Sequence, residues 1–124
     1  MKRRVWIVIG IVVVLLVIAG VLIFNSQKIS PTSEELKDSN PGVYLVLIKN
    51  FEFSPSELTI KVGETVRWIN QDSIKHTVTS DLGSELDSDL LGNGASYSHT
   101  FNSPGEFPYH CILHPSMIGK VIVQ

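Results

Sequence analysis

Two hydrophobic patterns divide the chain. From Val5 to Phe24, twenty residues carry no charge, and no polar face exists anywhere in the run. From Val43 onward, apolar and polar residues alternate in short segments rich in Val, Ile, Thr, Phe and Tyr, with turn residues between them. The first pattern is typical of a helix that spans a membrane, and the second of β-strands with one buried face.

The apolar run predicts one N-terminal transmembrane helix. As a helix it would be roughly 30 Å long, which matches the hydrocarbon core of a bilayer. A cleaved signal sequence is the alternative, but its apolar core is usually shorter and ends in small residues, which residues 21–27 do not provide. Lys2, Arg3 and Arg4 precede the run. We therefore expect residues 1–25 to be a single-pass anchor in the cell membrane, with a cytoplasmic N-terminus and an extracytoplasmic remainder.

Residues 26–42 differ from both flanks in composition. They are mainly Ser, Thr, Pro, Asn, Glu and Lys, and only Ile29 and Leu36 are large and apolar. Such a segment has no apolar stripe with which to pack on a domain. It is predicted to be a flexible tether between the anchor and a domain at residues 43–124.

The alternating region predicts an all-β fold, a Greek-key β-sandwich. Short strands at regular spacing without helical periodicity favour this class. Gly63 tolerates the positive φ of a tight turn, so residues 62–65 are predicted to form a hairpin. We expect strands near residues 43–49, 58–62, 65–69, 76–80, 96–101, 106–111 and 119–123.

The strand near residues 106–111 carries the single cysteine of the chain. Alternation places Phe107, Tyr109 and Cys111 on one face, which we expect to be the inner one, and turns His110 outward. One cysteine excludes an internal disulfide. In an oxidising compartment an unpaired thiol is a liability, and this favours a use for it, most simply in binding a metal.

Charge narrows the range of partners. Three of the 10 Lys and Arg precede the apolar run, whereas all 12 Asp and Glu follow it. The part after the run is therefore acidic, and nucleic acid is not expected as a partner.

The segment after the cysteine has the chemistry of a metal site. Cys111, His114 and Met117 are spaced three residues apart, and Pro115 stiffens the loop. A thiolate, an imidazole and a thioether are three different soft or borderline ligands. With one more imidazole they form the His2CysMet set that selects copper for electron transfer.

Matching residues also occur outside this loop. On these residues together, the run from about Val43 to Gln124 resembles the cupredoxins, the small blue copper proteins of the plastocyanin and azurin family, and is most similar to the amicyanin-like and plastocyanin-like members. The matching segments are residues 53–55, 58–70, 76–78 and 104–107, with Asp72, Phe101 and the loop of Cys111, His114 and Met117.

The resemblance implies the remaining parts of the site. It implies one copper ion that alternates between Cu(I) and Cu(II), with His76 as the second imidazole ligand. It also implies that Asn70 ties the His76 loop to the loop after Cys111, and that the N–H of Thr77 donates to the thiolate. Amicyanin-like loops commonly have proline where this chain has Leu113. Because leucine retains an N–H, a second hydrogen bond to the Cys111 sulfur is expected.

The resulting functional hypothesis is a membrane-tethered carrier of single electrons between redox protein partners. The soluble domain is expected to be monomeric, and no enzyme activity is expected because the ligand set leaves no open position. His114 and the adjacent Pro115 would form a docking surface, and the outward-facing His110 a second electron route. The alternative is a module that stores or delivers copper. Zinc competes for similar ligands.

Two other features have ordinary explanations. His99 is expected to be a packed or surface histidine on a strand. The acidic segment at residues 80–94 is expected to be a solvated loop, although it could steer a basic partner.

Overall fold

The structure is a computed structural model, and it describes Ile7, Ile9, Ile11, Val12 and residues 37–124. The chain forms two compact units, Met1–Thr32 and Ser33–Gln124. The four described residues of the first unit are helical and have exposed side chains. Within the described part of the chain, no helix has both the length and the apolar character needed to cross a membrane. The predicted anchor over residues 1–25 lies largely outside the described residues, as does the tether up to residue 36.

The second unit is a sandwich of two four-stranded sheets, which confirms the predicted all-β class. One sheet has the strand order β2-β1-β4-β6 and the other β3-β8-β7-β5. From β2 to β7 the chain alternates between the sheets. The strands are β1 (Val43–Lys49), β2 (Glu52–Ser54), β3 (Glu57–Ile60), β4 (Thr65–Asn70), β5 (Thr79–Ser80), β6 (Ser96–Thr100), β7 (Gly105–Cys111) and β8 (His114–Val123).

The prediction of a hairpin at residues 62–65 is wrong. Gly63 does have a positive φ of 89°, but the strands it joins, β3 and β4, lie in different sheets. The Gly63 N–H donates to the carbonyl of Phe101, and the Val62 N–H to that of Gln124. The glycine thus turns the chain from one layer to the other instead of pairing its neighbours.

The strand predicted at residues 76–80 is reduced to β5. The N–H of Thr77 donates to the sulfur of Cys111, and that of Val78 to the hydroxyl of Ser88. Those donors are therefore not available to a strand ladder. The strand predicted at residues 119–123 is longer than expected and begins at His114, while β2 was not predicted at all.

Alternation within the strands builds the core as expected. In β7, Tyr109 and Cys111 are buried, and Phe107 is partly buried against the same cluster. In β4, Val66, Trp68 and Asn70 alternate inward. Both sheets contribute to one core, made of Val46, Ile48, Phe53, Leu58, Ile60, Val66, Trp68, Val78, Leu86, Leu91, Phe101, Tyr109, Cys111, Met117, Val121 and Val123.

The last residues of the predicted tether contact the first sheet. Lys37 bridges to Tyr44, and the N–H of Asp38 donates to the carbonyl of Val43. The Asp38 carboxylate lies 3.3 Å from the Arg67 guanidinium. Residues 37–42 are therefore held against the first sheet.

Candidate metal centre

Cys111 ends β7 at a tight reversal of the chain. Its Cα is paired with that of His114, so Ile112 and Leu113 form a two-residue turn and β8 starts immediately after them. The register shifts between His110 and Cys111. Cys111 is a free cysteine with no exposed surface. The sulfur is thus directed into the core by the alternation of β7, while the turn brings His114 back beside it.

Three donor atoms converge at this reversal. The Nδ1 atoms of His76 and His114 each lie 3.7 Å from the Sγ of Cys111, and all three atoms lie within 4.8 Å of one another. Zinc bonds to the same donor types are ~2.1 Å to nitrogen and ~2.3 Å to sulfur. At tetrahedral to trigonal angles, one ion of that size would hold nitrogen and sulfur about 3.6–3.8 Å apart. The spacing therefore fits a single metal ion.

His76 is oriented by a carboxylate. Its ring is fully buried, and Nε2 lies 3.0 Å from Oδ2 of Asp72. A proton on Nε2 makes this hydrogen bond and leaves the lone pair of Nδ1 facing the sulfur, so the network assigns the tautomer that a metal ligand needs. Its backbone N–H donates to the carbonyl of Leu91. His76 is therefore fixed from both its ring and its backbone.

Thr77 makes two connections to the cysteine turn. Its N–H donates to Sγ of Cys111 at 3.3 Å, the bond that the family resemblance implies. Its hydroxyl oxygen accepts the N–H of Ile112 at 2.9 Å. An N–H donor aimed at the sulfur supports a metal-bound thiolate from outside the ligand set. Thr77 also joins the His76 segment to the turn after Cys111.

Asn70 makes different contacts from those expected. Its Nδ2 donates to the carbonyls of Ile74 and Leu91, both at 2.8 Å, and its Oδ1 accepts the N–H of Asp72 at 2.9 Å. Asn70 therefore ties the His76 loop to the segment that contains Leu91. The link to the loop after Cys111 is made by Thr77 instead, because the hydroxyl of Thr77 occupies the N–H of Ile112.

The second hydrogen bond expected from Leu113 is not formed. In the described part of the chain, the backbone N–H that donates to the Cys111 sulfur is that of Thr77. Leu113 occupies the second position of the two-residue turn, and the residue is 51% exposed. The turn therefore directs this residue outward without adding a donor to the sulfur.

Met117 lies on β8 and is buried, with 3% exposure. It belongs to the same core cluster as Cys111, so its thioether is kept from solvent at this end of the sandwich. Its role as the weak fourth ligand stays a prediction.

Phe51 was missed by the sequence analysis. Its ring meets that of His76 edge-on at a centroid distance of 5.5 Å, and that of His114 at 5.1 Å. Asn50 and Phe51 have φ values of 55° and 59°, and such positions cost of order 1–3 kcal/mol each. Their N–H groups donate to the two carboxylate oxygens of Asp72 at 2.7 and 2.9 Å. The turn could not be predicted from a periodic sequence pattern, because the residue that holds it, Asp72, is 21 residues away from Phe51.

The carboxylate of Asp72 thus accepts three donors. Its burial raises the pKa, but the hydrogen bonds from the N–H groups of Phe51 and Asn50, and then from His76, outweigh this and lower it. Asp72 therefore stays ionised beside the donor cluster, where a negative charge stabilises a cation.

The other two histidines lie outside the donor cluster. Nε2 of His99, on β6, is 2.7 Å from a carboxylate oxygen of Glu85. Nδ1 of His110 is 2.6 Å from a carboxylate oxygen of Asp81. Both side chains are partly exposed, at 25% and 29%. Pro115, next to His114, is exposed.

Comparison with known proteins agrees with this geometry. The model of a family described as copper binding proteins, plastocyanin/azurin family, matches residues 45–124. The chain belongs to this family. The resemblance drawn from the sequence is thereby confirmed, and the cofactor of this cupredoxin is one copper ion, which the spacing of His76, Cys111 and His114 fits.

The similar proteins include amicyanins and plastocyanins. Amicyanin of Paracoccus denitrificans is 37% identical over 87 residues, which are 67% of this cupredoxin and 66% of that protein. Amicyanin of Paracoccus versutus is 34% identical over 105 residues, covering 79% and 80% of the two chains. Plastocyanin of Chlamydomonas reinhardtii is 35% identical over 85 residues, covering 59% of each.

Solved amicyanin structures share the fold. A reduced amicyanin variant superposes with a TM-score of 0.65 at 34% identity, covering 70% of this cupredoxin and 87% of that chain. The crystal structure of the Paracoccus versutus protein gives a TM-score of 0.64 at 34% identity, covering 70% and 86%. The two-sheet arrangement is therefore that of the cupredoxins.

Proposed function

We propose that this cupredoxin carries single electrons between redox proteins through one copper ion that His76, Cys111 and His114 would hold, with Met117 as a weak fourth ligand. The observation that carries the proposal is the convergence of two Nδ1 atoms on one sulfur, each at 3.7 Å. Two imidazoles, one thiolate and a weak thioether are the ligand set of blue-copper electron-transfer sites.

The surroundings favour rapid electron transfer. His76 is held by Asp72, and the sulfur of Cys111 is buried and accepts the N–H of Thr77. A copper ion bound there would supply the Cu(II)/Cu(I) couple. Because hydrogen bonds from the protein hold His76 and the sulfur of Cys111, little needs to move when one electron arrives or leaves. Similar amicyanin variants have been solved in Cu(I) and oxidised forms, which supports two stable valences.

The same ligand set argues against a substrate reaction at the metal. A catalytic metal keeps an open position, whereas three strong ligands and a thioether occupy those of a blue-copper site. Accordingly, we propose a carrier and not an enzyme.

Two routes lead from the centre to the surface. His114 is partly exposed and is followed by the exposed Pro115, so its ring edge and this proline form the first route and the docking surface for a redox partner. His110 is one covalent step from Cys111 and is 29% exposed at its side chain. It forms the second route.

We also propose that residues 1–25 hold the copper domain at the extracytoplasmic face of the cell membrane as a single-pass anchor. Support comes from the uncharged run of twenty residues and the three basic residues before it. Protease digestion of intact cells tests the orientation. The domain should be removed from outside while the first residues stay protected, and protection of the domain would contradict it.

The decisive experiment on function is spectroscopic and kinetic. The full chain in detergent micelles is loaded with Cu(II), and its visible absorption and EPR spectra are recorded. An intense visible band with small copper hyperfine splitting is expected, together with one-electron exchange with a small redox protein. Absence of the band would refute the centre.

Variants assign the result to named residues. Cys111→Ser should abolish the visible band, whereas His99→Gln should retain it, because His99 pairs with Glu85 outside the donor cluster. A blue protein that exchanges no electrons and loses copper readily to a chelator would instead favour storage or delivery of the metal.

A further inference from the structure

The turn between β1 and β2 has an unusual backbone. Asn50 and Phe51 are consecutive residues with positive φ, 55° and 59°, and neither is glycine. Asparagine tolerates this region, but phenylalanine rarely adopts it. A conformation of this kind persists only when its surroundings impose it, and it is a reason to look for a function.

Asp72 imposes the conformation. Its two carboxylate oxygens accept the N–H groups of Asn50 and Phe51, one each, at 2.7 and 2.9 Å. Hydrogen bonds to an ionised acceptor are about twice as strong as neutral ones. The same Oδ2 atom that accepts from Phe51 lies 3.0 Å from Nε2 of His76. One carboxylate therefore fixes both a ligand ring and the turn beside it.

The turn places an aromatic ring against both imidazoles. Phe51 meets the rings of His76 and His114 at interplanar angles of 89° and 86°, and edge-to-face contacts of this type are favourable. The two imidazoles are themselves 4.9 Å apart. Phe51 is 49% exposed, so it lies between the histidine pair and solvent.

We propose that Phe51 is a cover that retains the metal, and that Asp72 positions this cover through the Asn50–Phe51 turn. The inference rests on the copper centre proposed above. Release of copper requires a ligand to leave it, and of the two imidazoles His114 is the more exposed. The ring of Phe51 restrains the outward swing of His114. Without Asp72 the turn relaxes toward negative φ and the ring leaves the histidines.

The rate of copper release tests whether Phe51 retains the metal. The copper(I)-loaded full chain in detergent is mixed with excess bicinchoninate without oxygen, and formation of the copper–bicinchoninate complex is followed. Loss of two aromatic contacts is expected to make Phe51→Ala release copper about tenfold faster, equivalent to about 1.4 kcal/mol. Asp72→Ala should accelerate release by at least as much. Less than about threefold acceleration in Phe51→Ala would overturn the proposal.

Ile118→Ala is the matched control. Ile118 is also an exposed apolar residue, at 65%, and follows Met117 on β8. Its replacement should leave the release rate within about twofold of wild type. Equal acceleration in Ile118→Ala and Phe51→Ala would mean that general exposure, and not the ring, controls release.

The double variant tests the link between the two residues. If Asp72 positions the cover, the acceleration caused by Asp72→Ala should be about tenfold smaller in the Phe51→Ala background than in wild type, and what remains reflects its bond to His76. Multiplication of the two single effects would refute the positioning role. Asp72→Asn, which keeps the volume but only one acceptor oxygen, replaces Asp72→Ala if the latter does not fold.

Two further measurements distinguish a failure of the proposed role of Phe51 from a failure of the proposed copper centre. The wild-type visible band tests the copper centre, so a colourless wild-type protein would refute the proposed function itself. A blue wild type whose Phe51→Ala variant releases copper at the wild-type rate would refute the cover alone. The free energy of unfolding of the metal-free Phe51→Ala variant should stay close to wild type, which distinguishes retention of the metal from general loosening.

Discussion

Gly119 lies directly opposite Tyr109 across the β7–β8 pair, and the phenol of Tyr109 occupies the space above its Cα. The two residues are Cα partners in the antiparallel register. A Cβ on Gly119 would lie only 2.7 Å from Cε2 of the tyrosine ring and 2.5 Å from its hydroxyl oxygen. Tyr109 is 1% exposed and meets Trp68 and Phe53 edge-on, so it has no free space into which to move.

Gly119→Ala should therefore destabilise the domain. Overpacking of a well-filled core costs typically 1–3 kcal/mol, and we expect a loss of this size in the free energy of unfolding, measured by urea titration of the metal-free chain. Gly92→Ala is the control, because nothing lies within 4 Å of its added Cβ. Equal stabilities for the two variants would show that the Tyr109 ring can shift.

Stability should fall in alkali because of Tyr109. Burial raises the pKa of its phenol far above the ordinary value of 10.0, so the folded state retains the proton when the unfolded state loses it. The contribution is complete below pH ~10 and declines above it, by at most ~1.4 kcal/mol per pH unit. Urea midpoints at pH 9, 10 and 11 should decrease, and Tyr109→Phe should flatten the decrease. An identical slope in that variant would exclude Tyr109 as the cause.

Thr77→Val should weaken the cysteine turn. The substitution removes the oxygen that accepts the N–H of Ile112 at 2.9 Å and the hydroxyl of Thr79 at 3.1 Å. An unpaired, partly buried donor costs about 1–2 kcal/mol, and this loss should appear in urea unfolding. Thr77→Ser keeps the oxygen and should recover most of the stability. Failure of serine to recover it would assign the effect to the methyl group.

Met117→Leu tests the proposed fourth ligand. A thioether stabilises Cu(II) more than a hydrocarbon does, so its removal should raise the midpoint potential by tens of millivolts. A shift of about 59 mV would correspond to a tenfold change in the equilibrium constant for one electron. The visible band should persist, because it arises from the thiolate of Cys111. Protein-film voltammetry measures the potential. An unchanged value would mean that Met117, although buried, only fills the core.

Leu113→Pro should leave the potential nearly unchanged. The hydrogen bond expected from the N–H of Leu113 to the sulfur would make this substitution lower the potential, but the backbone N–H that donates to the sulfur is that of Thr77. Removing the N–H of Leu113 therefore removes no hydrogen bond from the thiolate. We expect the midpoint potential to shift by less than about 30 mV, which is half of the 59 mV that corresponds to a tenfold change in the equilibrium constant for one electron. A larger drop would show that the loaded centre recruits Leu113.

Part of the site follows directly from the sequence. Cys111, His114 and Met117 are close in the chain, so a single reversal suffices to gather a thiolate and an imidazole, and their spacing was enough to predict a copper centre. Alternation in β7 was likewise enough to direct Cys111 inward, because successive side chains in a strand point to opposite faces.

Only the tertiary structure decided which residues that are distant in the chain come into contact. His76 lies 35 residues before Cys111, and only the family resemblance pointed to it. The bonds of Asp72 to the turn at Asn50 and Phe51 join residues 21 and 22 positions apart. β3 and β4 were wrongly expected to pair with each other, because the chain crosses from one sheet to the other between them. Local patterns record which face of an element is buried, whereas the identity of the element that covers it is fixed only when the two sheets pack together.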